Sequence, residues 1–154
     1  MFNVDQSQVI RVSMSDPTDP LASFSRHAVS LDGADWPSVE HYFQGMKFQT
    51  QELRESVLGA IHPADARKIA KKHRREIRND WKQIEETIMT RGVYIKCRSH
   101  DDAAAALLAT GARRIIETSQ YDYYWGCGRD GRGNNAYSKV LMTVRKKLRA
   151  PNAT

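Results

Sequence analysis

The chain has 154 residues, of which 40% are hydrophobic and 27% charged, with a formal net charge of +6. That length suits one domain around one core, and that composition suits an ordinary globular protein. The longest apolar run, around 103–109, is far too short for a membrane span, and the excess of positive charge points to anionic partners: nucleotides, sugar phosphates or nucleic acid.

Residues 7–13 read as a strand, which Asp16-Pro17-Thr18-Asp19-Pro20 breaks. Residues 27–31 read as a second strand, closed by a turn at Asp32-Gly33. Trp36 onward opens the first helix, with Ser38 as its N-cap. Leu53, Val57 and Leu58 mark a short second helix. Pro63 suits the first position of a third. Asp80 with Gln83 has the pattern of a capping box before a long helix, whose apolar stripe is Trp81, Ile84, Ile88 and Ile95. Asp101 or Asp102 caps an Ala-Leu helix that Gly111 ends. Residues 114–117 read as a short strand. Tyr137, Val140, Leu141, Val144 and Leu148 form the stripe of a last helix. The predicted fold class is α+β: a single helix-rich domain over 1–154 with a small β-sheet.

The N-terminal residues lack the basic and apolar regions of a signal peptide, so a cytoplasmic protein is expected. Cys97 and Cys127 read as reduced thiols. The five histidines are scattered, with no H-E-x-x-H spacing, and two patternless cysteines make no zinc site. No G-x-S-x-G elbow is present. The expectation is therefore no metal and no cofactor.

Two segments carry the chemistry. Trp125 to Asn135 holds four glycines, two arginines and two asparagines. Such a loop can turn backbone N–H groups toward an anion while the indole offers a flat face to a base or sugar. Gly126 to Gly131 matches G-x-G-x-x-G literally, but more glycine follows where a Rossmann turn needs a helix, and no room is left for the rest of that fold. The loop stays a candidate phosphate or ribose cradle. The plainer alternative is a surface turn, against which the neighbouring cluster of Tyr121, Asp122, Tyr123, Tyr124 and Trp125 argues.

The second segment runs from Trp36 to Phe48. Glu40, Gln44 and Lys47 fall at i, i+4 and i+7 on one helical strip, beside an apolar strip of Val39, Phe43 and Met46. Glu40 lies in the first turn, where the helix dipole favours a carboxylate. It suits a base, or a group that stabilises positive charge. The plainer alternative is a polar helix face. Basic residues concentrate in 67–78 and 139–149, either as solvated helix faces or, at Lys71 to Arg75, as a phosphate-backbone contact. That run lacks the interleaved aromatics of a single-strand platform. Trp81 reads as core or as a pocket edge.

Taken in order, these motifs resemble the YbiA-like family of the NADAR superfamily. The resemblance is clearest over 24–148. It rests on Trp36-Pro37-Ser38-Val39-Glu40-His41-Tyr42-Phe43-Gln44 with Lys47-Phe48, on Arg78-Asn79-Asp80-Trp81, on Leu107-Leu108-Ala109-Thr110-Gly111, and on Tyr121-Asp122 before Trp125-Gly126, Gly128, Gly133 and Asn135. It implies a metal-independent N-glycosidase that cuts between ribose C1′ and a base nitrogen. The substrate would be ADP-ribosylated guanine or a ribosylamino-pyrimidine phosphate of riboflavin biosynthesis. The resemblance maps catalytic roles onto Glu40, Asp122, Trp81 and Trp125, with Lys47 in the matched motif. Tyr42, Gln44, Gly126, Gly128, Arg129, Arg132, Gly133 and Asn135 are the candidate substrate-binding residues. The chain departs from the family at Arg26-His27, Cys97-Arg98-Ser99 and Tyr137-Ser138, which bears on the substrate rather than on the catalytic set.

Such a reaction passes through an oxocarbenium-like state. Glu40 could stabilise it or activate water, with Asp122 on ribose hydroxyls, or Lys47 could attack C1′ and form a Schiff base. Trp81 and Trp125 would clamp the ring. The expected partner is a phosphorylated ribosyl or ADP-ribosyl small molecule, with ADP-ribosylated nucleic acid as a further class and no membrane. Net charge, Arg129, Arg132 and the Arg26-His27 pair favour the diphosphate ligand. A non-catalytic module that binds ADP-ribose or a nucleotide shares the same pocket, and a basic RNA-binding protein is a third reading.

Overall fold

The computed structural model describes residues 8–119, 124–126, 128 and 133–150. Its elements run β1 (Val9–Val12), β2 (Val29–Leu31), β3 (Ala34–Trp36), α1 (Val39–Gly45), α2 (Gln51–Leu58), α3 (Pro63–Lys72), a 3-10 turn at Arg74–Glu76, α4 (Trp81–Ser99), α5 (Asp101–Ala109), β4 (Arg114–Glu117) and α6 (Ala136–Arg149). The class is α+β, as the sequence predicts, but the strands form two separate pairs rather than one sheet.

β1 and β4 pair in parallel, from Val9 opposite Arg114 to Val12 opposite Glu117. β2 and β3 form a hairpin with Val29 opposite Trp36. Its turn residues Asp32 and Gly33 both have positive φ, 52° and 79°. That is the mirror-image turn whose twist suits a two-residue hairpin. β3 corrects the reading of Trp36 as a helix start. The helix begins three residues later, at Val39, after the N-cap Ser38, whose hydroxyl accepts from the His41 N–H at 3.1 Å.

α1 is the centre of the molecule. All seven of its residues are buried, under α2, α3 and α4. A helix buried all round has no solvent face. The strip of Glu40 and Gln44 is present but buried, with Gln44 Nε2 donating to Glu40 Oε1 at 2.8 Å, so it is the plainer alternative of a solvated polar face that does not hold. Gly45 is required by close approach: a Cβ there would sit 2.5 Å from the Trp36 ring. α2 is anchored by Val57, which is fully buried. Burial of such a side chain contributes about 1.5–3 kcal/mol.

Two predicted caps are replaced by other contacts. The Asp80 carboxylate makes no cap bond at α4; it accepts from Arg78 Nε at 2.6 Å. The N-cap of α5 is His100, with Asp101 and Asp102 in the first turn, where acidic residues complement the helix dipole. Asp102 pairs with His27 Nε2 at 2.7 Å.

The start of α6 is capped by the glycine-rich loop itself. The N–H groups of Asn135, Ala136 and Tyr137 donate to the carbonyls of Gly126, Tyr124 and Trp125 at 2.9, 2.9 and 3.1 Å. Asn135 is left-handed, with φ 54°, and its Oδ1 accepts from the Glu117 N–H at 2.9 Å. The first two N–H groups of α6, those of Ala136 and Tyr137, are thus taken by the chain instead of being offered to an anion.

Candidate active site

A cleft of about 520 Å³ opens between the end of α1, the start of α4 and the loop before α6. Its apolar wall is a ring cluster. Phe43 meets Trp81 edge-on at 5.0 Å and Trp125 at 5.3 Å. Tyr124 packs against Trp125 at 4.9 Å. Rings held edge to face stabilise one another beyond their burial. Three sequence candidates, Lys47, Trp81 and Trp125, therefore come together with Phe43 in one cleft.

Lys47 follows the C-cap of α1. Its Nζ lies 5.6 Å from the Phe43 ring centroid. Burial disfavours the ammonium and moves its pKa below the ordinary 10.5, while Glu40 and Glu85 pull the other way. An amine with a lowered pKa is a better nucleophile near neutrality.

Glu40 lies behind the cleft wall, 1% exposed. Its Oε1 accepts from Arg67 Nε at 2.7 Å and from Gln44 Nε2 at 2.8 Å. Its Oε2 accepts from the Ser23 hydroxyl at 2.7 Å. A buried carboxylate held by three donors serves as a hydrogen-bond acceptor fixed in one orientation. Its charge acts on Lys47. Gln44 thus serves Glu40 through its amide nitrogen, and its buried Oε1 has no hydrogen-bond partner among the described residues.

Other candidates fall elsewhere. Tyr42 is fully buried, with its hydroxyl donating to Asp32 Oδ2 at 3.0 Å and its ring against Trp36. This places it in the core instead of on the cleft wall, on the side of α1 that packs against the β2–β3 hairpin. Gly126 is fixed by Glu117: a Cβ would come within 2.6 Å of its Oε1. Gly128 has φ 73°, and its N–H donates to Ser119 O at 3.2 Å. Gly133 sits at a bend before α6. Asn135 uses its side chain on β4. The described part of the loop is hence a scaffold for Trp125 and α6, with Gly126 and Asn135 in structural positions. Asp122, Arg129 and Arg132 lie outside the described residues.

Three features escaped the sequence reading. Arg67 belongs to a basic run that reads as a solvated face. Its position four residues after Pro63 and three before Ala70, both buried, is the signal that it borders the inner face of α3. Arg74, Arg78 and Lys82 line the cleft rim, so part of that run edges the pocket. Glu85 also lines the cleft. It sits one turn after Trp81 and is 4% exposed. Burial raises its carboxyl pKa, against the pull of Lys82 and Lys47.

Comparison with known proteins gives one consistent answer. The family model described as the NADAR domain matches residues 4–149. The chain is 32% identical over 136 residues to N-glycosidase YbiA of Escherichia coli K12, covering 88% of this chain and 85% of that protein. It is 33% identical over 137 residues to an N-glycosidase of Nostoc punctiforme, covering 86% and 87%. It is 38% identical over 128 residues to a riboflavin biosynthesis protein of Vibrio vulnificus, covering 83% of this chain but 35% of that longer one. The solution structure of E. coli YbiA superposes with a TM-score of 0.83 at 31% identity, over 97% of this chain and 89% of that one. By its matched length, its relatives and its fold, the chain belongs to the YbiA-like NADAR family.

Proposed function

We propose that this cleft hydrolyses the bond between C1′ of a phosphorylated ribose and a base nitrogen, without metal or cofactor. That the chain is a glycosidase follows from the relatives named for that activity. The observation that carries the finer reading is the arrangement of Lys47. Lys47 lines an aromatic-walled cleft with its Nζ 5.6 Å from the Phe43 ring centroid, burial lowers its pKa, and the Glu40 carboxylate acts on it electrostatically.

Of the two routes, attack by Lys47 fits the geometry better. Glu40 is covered and held by three donors, whereas Lys47 lines the cleft. The Nζ lone pair bonds to C1′ as the C1′–N bond breaks. The proton shed by the attacking amine balances the one taken by the leaving nitrogen. Ring opening gives a Schiff base, and water then releases the ribose and returns the amine. Positive charge at C1′ in the transition state is stabilised by Glu40. Trp81 and Trp125 hold the base or sugar by stacking. Asp122 is assigned to the ribose hydroxyls on the strength of the resemblance alone. The chemistry is given to the amine, carboxylate and aromatic groups that the cleft and its neighbour Glu40 supply.

The phosphate end is assigned to the basic rim of Arg74, Arg78 and Lys82, with Arg129 and Arg132 as further candidates. So much positive charge favours a diphosphate over a monophosphate. ADP-ribose on guanine is therefore preferred to a ribosylamino-pyrimidine phosphate. Incubation with each, following release of base or ribosyl product, tests both levels. The preference is wrong if kcat/KM is higher for the ribosylamino phosphate, and the N-glycosidase reading fails if neither is cleaved.

A further inference from the structure

We infer that Glu85 is the base-recognition residue of this cleft, its carboxylate accepting two adjacent N–H groups on the edge of the base. It would select rings that carry an amino group beside a ring N–H, as guanine and 2-amino-4-oxopyrimidines do. This rests on the N-glycosidase reading above and specifies its substrate class.

Three observations lead there. The first is position. Glu85 lies four residues after Trp81 on α4 and shares its face, and both line the cleft with Trp125. A base stacked on those indoles turns its edge, not its face, toward a group beside them. The second is coverage. The Glu85 side chain is 5% exposed, and its ion-pair partner Lys82 stands 4.0 Å away with a side chain 87% exposed. So distant and solvated a partner compensates a buried charge poorly.

The third is the count of donors. A carboxylate offers about four lone-pair sites. Tyr124 interacts with both Glu85 and Glu86, and its single hydroxyl proton can serve only one carboxylate at a time. The other titratable groups acting on Glu85 are Lys82 and Glu86 on its own helix and Lys47 beyond α1. Acceptor capacity therefore remains on a carboxylate that is itself nearly buried. Two parallel N–H groups on a planar ring match two carboxylate oxygens in the way a guanidinium does. A base with a ring N–H but no neighbouring amino group fills only one of them. Leaving a buried acceptor unpaired is what makes such sites selective.

The test uses guanosine and inosine 5′-monophosphates, which differ only by the 2-amino group of the base. Titration calorimetry on the full chain should show GMP binding at least about tenfold tighter than IMP, since a site built for a donor rejects the analogue lacking it. In Glu85→Gln that preference should fall to about twofold or less, with IMP affinity little changed, because an amide places a donor against a donor. Should Glu85→Gln not fold, Glu85→Asp keeps the charge, withdraws it by one methylene and should lose the preference too. Equal affinity for GMP and IMP in the wild type, no measurable GMP binding, or an unchanged GMP/IMP ratio in a folded variant would overturn the inference. None of these readouts involves turnover, so failure here is distinct from failure of the N-glycosidase reading.

Discussion

Arg67 Nε stands 2.7 Å from Glu40 Oε1, joining α3 to the first turn of the central helix. The guanidinium also covers the Phe24 ring at 4.4 Å and reaches Ser15 at 3.0 Å through Nη1. One arginine thus ties the buried carboxylate to the segment before β2, and that segment contributes Ser23, a second donor to Glu40.

Arg67→Ala should therefore cost both stability and activity. Removing one donor from a buried carboxylate costs about 1–3 kcal/mol, measurable as a lower urea midpoint. Glu40→Gln should lower turnover by about a hundredfold or more with the fold intact, as expected for loss of a positioned charge. Near wild-type turnover in Glu40→Gln would remove Glu40 from the mechanism.

Lys47 gives the pH dependence. Its pKa lies below the ordinary 10.5 because burial disfavours the charged form. The neutral amine is the nucleophile, so kcat should rise with pH and level off at a pH below that of a free lysine. Lys47→Arg keeps the charge but cannot attack, and should abolish both turnover and the pH limb. Borohydride added during turnover should fix a ribosyl mass on Lys47, seen by peptide mass spectrometry. A flat pH profile with no trapped adduct would return the mechanism to direct hydrolysis.

His41 governs acid stability. It is buried with Nε2 2.9 Å from Ala60 O and Nδ1 2.7 Å from the Ser38 hydroxyl. Burial pushes its pKa below the ordinary 6.5. Above 6.5 folded and unfolded forms are both neutral, and the contribution is fully present. As pH falls through 6.5 toward the folded value, the unfolded chain binds a proton that the folded one refuses, and stability is lost. Urea midpoints from about pH 8 to about pH 5 should fall, and His41→Gln should flatten that part of the curve. An unchanged slope in the variant would assign the loss to other groups.

How much of this was legible in the sequence differs by element, for physical reasons. Ser38 as an N-cap, Pro63 at a helix start and the Val140, Leu141, Val144 stripe of α6 are local signals, and all three hold. The hairpin strand Ala34–Trp36 did not show, because three residues carry no period. The Asp80 cap failed because Arg78, two residues away, is a stronger partner for the carboxylate than a helix N–H. At the site, Glu40, Lys47, Trp81 and Trp125 stood out by motif and resemblance. Arg67, Ser23 and Glu85 did not: spacing marks the face on which Arg67 and Glu85 lie, but the partner each meets is set by packing of α1 against α3, α4 and the segment before β2.

Trp125 forms one wall of the cleft and packs on Phe43. Trp125→Ala should weaken ADP-ribose binding by about 1–3 kcal/mol, the scale of a lost stacking contact. Calorimetry would read this directly. Unchanged affinity would place the ligand away from the aromatic wall.

The central claim is that Lys47 and Glu40 make this cleft an N-glycosidase site that needs no metal. The most direct measurement is release of guanine-containing product from ADP-ribosylated guanine, and of base from a ribosylamino-pyrimidine phosphate, by the wild type and by Lys47→Arg, each with and without EDTA. The account predicts that the wild type cleaves at least one of the two at the same rate in EDTA and that Lys47→Arg cleaves neither. Cleavage lost in EDTA and restored by a divalent cation, or cleavage retained by Lys47→Arg, would contradict it.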